Sequence, residues 1–348
     1  MKSLLILIFA IQVSFGFTQS FTQKNGRLQL KGKQLCNQQG KPIQLKGFST
    51  FGISYRPECI TYDALVSMKE FWGANSIRAT VYDDDFSNKL NYNESPAFNK
   101  AMVDSMVRWT EKLGMYCIID WHILRNGNPN AKVHSGAAAF FQEMTTKYAQ
   151  KTHLLYEICN EPSGTTVTWD TIADYANKII PIIHKNVPKA VILVGSPMWC
   201  QFIDKVQPSK LVDTLNVMYS FHFYATTHEW LIPMFLKEIH RIPVFGSEWG
   251  PCESSGDGNI NFNATEKYLN AMKQHSSNGD TVSISWCNFS YGDKKEAASA
   301  LKPQSCDLKL WNNMTPTPGI LRNSFNAFSL FTIIRLLLCK YSYSFKIL

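Results

Sequence analysis

The stretch that decides the fold is Leu154-Leu155-Tyr156-Glu157-Ile158-Cys159-Asn160-Glu161-Pro162: a short apolar run that ends abruptly in an amide, a carboxylate and a proline. An apolar run of four to eight residues bounded by a breaker reads as a buried strand. The same event recurs along the chain. Candidate strands fall at residues 43–48, 76–79, 116–120, 154–158, 190–194, 217–221, 243–245 and 282–286. Amphipathic helical stretches lie between several of them, at 62–72, 98–113, 137–149, 169–186, 229–240 and 265–276. Continuous apolar strands alternating with helices imply a parallel sheet covered on its faces. Eight such strands in one domain-sized stretch predict an α/β fold of the (β/α)8 TIM-barrel type, with a single catalytic domain. No glycine-rich G-x-G-x-x-G turn opens the first helix, which argues against a dinucleotide-binding sheet.

The polar residues that interrupt the rhythm follow the strands. Arg78 follows Ser76-Ile77, His122 follows Asp120-Trp121, and Asn160-Glu161 follows Ile158-Cys159. His222 and Tyr224 follow the run that starts at Val217, and Glu248 follows Phe245-Gly246-Ser247. In a parallel barrel the strand ends open on one face, so these residues are expected to converge there. Taken singly, each glutamate reads as a rim ion pair and His122 as a hydrogen-bonded core residue; convergence favours chemistry. Glu157, four residues before Glu161, reads as a structural partner buried low in the sheet.

Two facing carboxyls, one carrying a proton and one ionised, are what glycosidic cleavage requires. Arg78 beside Glu248 would hold that group ionised, and Tyr224 could donate to it. Glu161 would share its niche with His222 and apolar walls, as a proton donor needs. Asn160 suits a sugar hydroxyl. The remaining histidines, His134, His153, His184, His228, His240 and His275, carry no expected role.

Bulk properties agree. The 348 residues are 45% hydrophobic and 18% charged, with 9 Trp, 14 Tyr and 22 Phe whose rings could stack on sugars or simply fill a large core. The formal charge of +8 is spread along the chain, so nucleic-acid binding is not expected. Residues 1–16 read as a signal peptide: Met1-Lys2, an apolar stretch from Leu4 to Val13, and Ser14-Phe15-Gly16 at the cleavage point. A secreted, extracellular protein follows, in which the nine scattered cysteines meet an oxidising medium. Cys117 and Cys159 lie in apolar strands and read as core residues. Sequons occur at Asn93, Asn263, Asn288 and Asn313, with Asn288 too near the expected site to carry a glycan. Residues 17–329 form the expected catalytic barrel, and 330–348 an apolar tail of unassigned role, too short and too interrupted by Arg335 for a membrane span.

The motifs then become recognisable. Ile158-Cys159-Asn160-Glu161-Pro162, Asp120-Trp121-His122-Ile123-Leu124, Phe221-His222-Phe223-Tyr224 and Ser247-Glu248-Trp249-Gly250 resemble, in order and spacing, the secreted endo-β-1,4-glucanase (cellulase) branch of family 5 glycoside hydrolases over roughly residues 28–328. The resemblance implies a retaining enzyme without metal or organic cofactor, with Glu161 as acid/base and Glu248 as nucleophile. Arg78, His122, Asn160, His222 and Tyr224 would form the supporting shell. Substrate positions implied are Tyr82 on the glycone side, Trp199 on the leaving-group side, and Lys294 and Glu296 on a distal glucose. Phe289 stands where relatives carry Trp, and Tyr55 near where a Trp platform is expected. Those departures bear on subsite affinity. Mannan, xyloglucan or xylan as substrate, or a glucan-binding protein without turnover, are the competing readings. The expected partner is a β-1,4-glucan chain, and a monomer is expected.

Overall fold

A computed structural model describes residues 19–84, 89–273, 275–277 and 280–315. The signal-peptide and tail segments, with Cys339, lie outside these residues. Eight parallel strands close into a barrel: β1 (Lys46–Thr50), β2 (Ser76–Tyr82), β3 (Tyr116–His122), β4 (Leu154–Glu157), β5 (Ile192–Gly195), β6 (Val217–Tyr224), β7 (Val244–Gly250) and β8 (Trp286–Tyr291), with β8 hydrogen-bonded back to β1. The main helices are α1 (Tyr62–Glu70), α2 (Pro96–Leu113), α3 (Ala137–Lys147), α4 (Trp169–Asn186), α5 (Ile232–Glu238) and α6 (Phe262–Lys273). The barrel expectation holds.

Local chemistry sets the helix limits. Thr61 caps α1 by accepting from the Ala64 amide, α2 begins on Pro96, and α2 ends at Gly114, whose left-handed φ of 68° a side chain would resist. Two cores result. Outward-facing strand residues such as Cys117, Ile119, Tyr156 and Ile158 pack with the helices. Inward-facing Tyr116, Ile118, Leu155, Leu193, Met218 and Phe245 fill the barrel interior, floored by Leu28, Leu35, Ile43 and Leu45 around an N-terminal hairpin of residues 29–36. Period-two alternation thus puts Ile158 outside and Glu157 inside.

Two strand expectations need correction. β2, β3, β6 and β7 run on past their apolar stretches, so Arg78 and His222 sit within strands rather than at their ends. Polar side chains are affordable there because the upper barrel lumen is itself polar. The eighth strand is Trp286–Tyr291, not residues 282–286; Asp280–Val282 instead pairs antiparallel with His275–Ser277 in a hairpin.

Among the described residues one disulfide, Cys59–Cys306, joins the segment after β1 to the segment after β8 across 247 residues of sequence. Cys117 and Cys159 are buried thiols, as expected of core residues. Asn288 is buried and its amide donates to the Trp249 carbonyl at 3.0 Å, which closes that sequon to a glycan.

Candidate active site

Arg78 organises the upper barrel. Its side chain is fully buried, and its five N–H donors meet five acceptors. Nε donates to Glu157 Oε2 at 2.6 Å, Nη1 to Ser49 Oγ at 3.1 Å and Glu248 Oε2 at 3.0 Å, and Nη2 to Asn160 Oδ1 at 2.6 Å and Asp120 Oδ2 at 3.0 Å. Burial alone would push Glu157 up, but Arg78 and His222 outweigh it and bring this carboxyl down to about 2. Glu157 also accepts from Ser220 and Ser247, each at 2.7 Å. Glu157 is the buried structural partner expected, but as the last residue of β4 it sits beside the site in the upper barrel rather than low in the sheet.

Glu248 is held from two sides. Arg78 grips Oε2, and the Tyr224 hydroxyl donates to Oε1 at 2.9 Å. Burial and the charges of Glu248 and Glu161 push the Tyr224 phenol well above its ordinary value, so it stays a donor. Gly250 makes room for this ring: a Cβ there would lie 2.7 Å from Tyr224 Cδ1. Strict alternation from Phe245 and Ser247 would turn Glu248 outward. The register with both neighbours, Ser220↔Phe245 then His222↔Glu248, and Trp286↔Gly246 then Asn288↔Trp249, shows one extra residue in β7. This bulge re-aims Glu248 into the lumen.

Glu161, just beyond β4, meets His222 Nδ1 at 2.9 Å, and His222 Nε2 meets Ser247 Oγ at 2.9 Å. Burial opposes charge on His222, but the carboxylates beside it, Glu161 in hydrogen-bond contact and Glu157 3.9 Å from Nε2, prevail and lift it to about 9. The ring therefore carries both protons near neutral pH. His222 is the neighbour expected of Glu161, but the side chain is 15% exposed rather than enclosed by apolar walls. Apolar periodicity in the sequence could not report that, because the cleft rather than the core lies above β4. One oxygen each of Glu161 and Glu248 and one His222 ring nitrogen all lie within 4.8 Å of one another.

His122 completes the inner ring. Its Nδ1 lies 2.6 Å from Asp120 Oδ2, the same oxygen that receives Arg78, so Nδ1 bears the hydrogen and Nε2 is left an acceptor. Burial and then Arg78 push this imidazole down to about 3, so it is neutral. Asp120, with Ser49, Ser220 and Ser247, was not singled out from sequence. Asp120 was legible, two residues from His122 on one strand face; the serines carried no signal.

Tyr82 lies against His122, ring centroids 4.0 Å apart, and Tyr55 against Tyr82 at 4.7 Å. Phe51, unmarked in the sequence, bridges Tyr55 at 6.0 Å and Phe289 at 5.7 Å, and Lys294 Nζ sits 4.9 Å from its ring centroid. Lys294 pairs with Glu296 at 2.5 Å. These six residues form one wall. Trp199 stands apart from it, 43% exposed, on a turn where Met198, Trp199 and Cys200 all have left-handed φ of 55°, 54° and 59°. Such strain persists only where surroundings enforce it. Here the Trp199 amide donates to the Pro162 carbonyl at 3.0 Å and Cys200 Sγ to the Asn160 carbonyl at 3.0 Å. The turn is thereby tied to both neighbours of Glu161.

The model of cellulase, glycosyl hydrolase family 5, matches residues 36–295. An endoglucanase of Clostridium saccharobutylicum is 37% identical over 294 residues, which are 84% of this chain and 63% of that protein. Endoglucanase A of Butyrivibrio fibrisolvens is 35% identical over 285 residues, 81% of this chain and 64% of the other. The chain spans somewhat less than two thirds of the length of these curated relatives. Among solved structures, cellulase Cel5C_n superposes with a TM-score of 0.80 at 33% identity, over 88% of this chain and 93% of that one. The catalytic domain of Thermobifida fusca endoglucanase Cel5A in complex with cellotetraose gives 0.78 at 29% identity, over 89% of this chain and all of that one.

Proposed function

From the premise that the chain belongs to the cellulase family, glycosyl hydrolase family 5, we propose that it is a retaining endo-β-1,4-glucanase acting by double displacement. The observation that carries this reading is the 4.8 Å limit on the separation of Glu161 and Glu248 oxygens. Carboxyls about 5–5.5 Å apart leave no room for an intervening water, so one of them attacks the anomeric carbon itself.

Glu248 is the nucleophile. Both its oxygens are held, by Arg78 and Tyr224, which fixes the attack direction and removes the cost of ordering it later. As its bond to carbon forms, Glu161 delivers a proton to the departing oxygen. The Glu161–His222 contact keeps a proton within reach of that transfer. In the second step Glu161 takes a proton from water, which attacks the same carbon and releases Glu248. Asn160 already accepts from Arg78 and donates to the Ile123 carbonyl at 3.2 Å, leaving one amide hydrogen for a sugar hydroxyl. Neutral His122 would accept from a sugar hydroxyl through Nε2.

The wall of Tyr55, Tyr82, Phe51 and Phe289, with Lys294 and Glu296, takes the glycone side, and Trp199 the leaving-group side. A β-1,4-glucan is the substrate this suits; the cellotetraose in the Thermobifida fusca complex is such a chain. We also read the protein as secreted, with residues 1–16 as its signal, a reading that the Cys59–Cys306 disulfide supports.

The test is reducing-sugar release on carboxymethylcellulose, mannan and xyloglucan. Wild type is expected to prefer carboxymethylcellulose, and Glu161→Ala and Glu248→Ala to lose activity by orders of magnitude. Azide added to Glu248→Ala should yield an inverted glycosyl azide. Near-normal turnover by either variant removes the mechanism, and preference for mannan moves the substrate.

A further inference from the structure

Beyond Trp199 the chain presents two more aromatic rings that no step above uses. Trp230 is 62% exposed, the most exposed aromatic side chain among the described residues, and its ring meets that of half-buried Phe202 edge-on, centroids 6.4 Å apart and planes at 72°. Phe202 lies three residues past Trp199 in the connection after β5, and Trp230 six residues past Tyr224 in the connection after β6. Both connections start from C-terminal strand ends, the face of the barrel on which the carboxylates lie.

The exposure is built rather than incidental. On one flank of Trp230, Leu231 is buried; on the other, Glu229 accepts from Asn261 at 3.2 Å and pairs with Lys267 at 2.6 Å. The turn that follows Phe202 is fastened by Arg241, whose Nη2 donates to the Ile203 carbonyl at 2.8 Å and Nη1 to that of Val206 at 2.9 Å. The Phe202 amide itself donates to the Pro197 carbonyl at 3.2 Å, at the base of the Trp199 turn. An indole held in water by anchored neighbours forgoes the burial that would have stabilised the fold. Two contacting aromatic rings exposed on the face that holds a cleft offer apolar surface to a ligand leaving it.

We propose that Trp230 and Phe202 form a distal platform for the leaving-group portion of a β-1,4-glucan chain, extending the path from Trp199 away from the scissile bond. The inference rests on the glucanase reading above. A flat ring offers a π face to the axial C–H bonds of a glucose unit, and an indole N–H can meet a hydroxyl.

The experiment is affinity electrophoresis of the full chain carrying Glu248→Ala, in gels containing hydroxyethyl cellulose, which measures binding without turnover. Trp230→Ala is expected to weaken retardation about 3- to 10-fold, Trp230→Phe to keep most of it, and Trp230→Leu to behave like Ala. Unchanged retardation in Trp230→Ala, or full recovery in Trp230→Leu, overturns the platform. So does concentration-dependent self-association abolished by Trp230→Ala with retardation intact, which would give the patch to a second copy. Wild-type hydrolysis of carboxymethylcellulose is measured separately. Its absence would end the glucanase reading, while the gel result speaks to the platform alone.

Discussion

Nδ1 of His222 lies 2.9 Å from Oε1 of Glu161, and this contact places an imidazolium beside the group assigned to proton transfer. With His222 raised from 6.5 to about 9, its contribution to stability is fully present below 6.5 and lost as pH rises through about 9. Glu157, lowered from 4.5 to about 2, contributes above 4.5 and loses that contribution as pH falls through about 2. Between 4.5 and 6.5 both contributions are full. The melting temperature is expected to peak in that window and decline toward pH 9, and His222→Gln should flatten the alkaline decline. Calorimetric scans of both proteins across pH would check this; an identical alkaline limb in the variant contradicts it.

Arg78→Lys tests the centre of the network. A lysine has three donors in place of five and cannot span Glu157, Asp120 and Glu248 together. A carboxylate left buried without its cation costs about 3–5 kcal/mol. Denaturant unfolding should show a loss of that order, together with at least a tenfold fall in kcat. A loss below about 1 kcal/mol would mean the other contacts suffice.

Tyr224→Phe removes only the hydroxyl that holds Glu248 Oε1. A hydrogen bond to a charged group contributes about 1.5–3 kcal/mol, so kcat/KM should fall about 10- to 100-fold with the melting temperature nearly unchanged. Gly250→Ala, which crowds the same ring, should reproduce part of the kinetic loss. Wild-type kinetics in Tyr224→Phe would remove the positioning role.

Trp199 adopts a left-handed conformation that glycine takes freely and alanine only at a steric cost. Trp199→Gly and Trp199→Ala lose the same indole, yet the glycine variant should be more stable by about 1 kcal/mol. Both should raise KM on long substrates. Equal unfolding free energies would show that the turn relaxes.

Replacing Cys59 by serine opens a link that spans 247 residues. A loss of about 2–4 kcal/mol is expected, matched by reductant acting on the wild type. Reductant that lowers the stability of Cys59→Ser equally would refute the attribution.

The sequence by itself determined the alternation of eight strands with helices, because apolar runs and amphipathic stretches are written in local order. It also determined which residues would meet, since strand ends of a parallel barrel share one face: Glu161 and Glu248 converge though 87 positions apart. What only the tertiary structure decided is how each is aimed. The extra residue in β7 turns Glu248 inward against its own alternation, and that bulge exists only in register with Ser220, His222, Trp286 and Asn288 on neighbouring strands. The surround of Glu161, the Phe51 bridge and the outward tilt of Trp230 depend likewise on contacts between segments far apart in the chain. Periodicity records which side a residue favours; the direction of a side chain at a strand end is fixed by the neighbours it packs against.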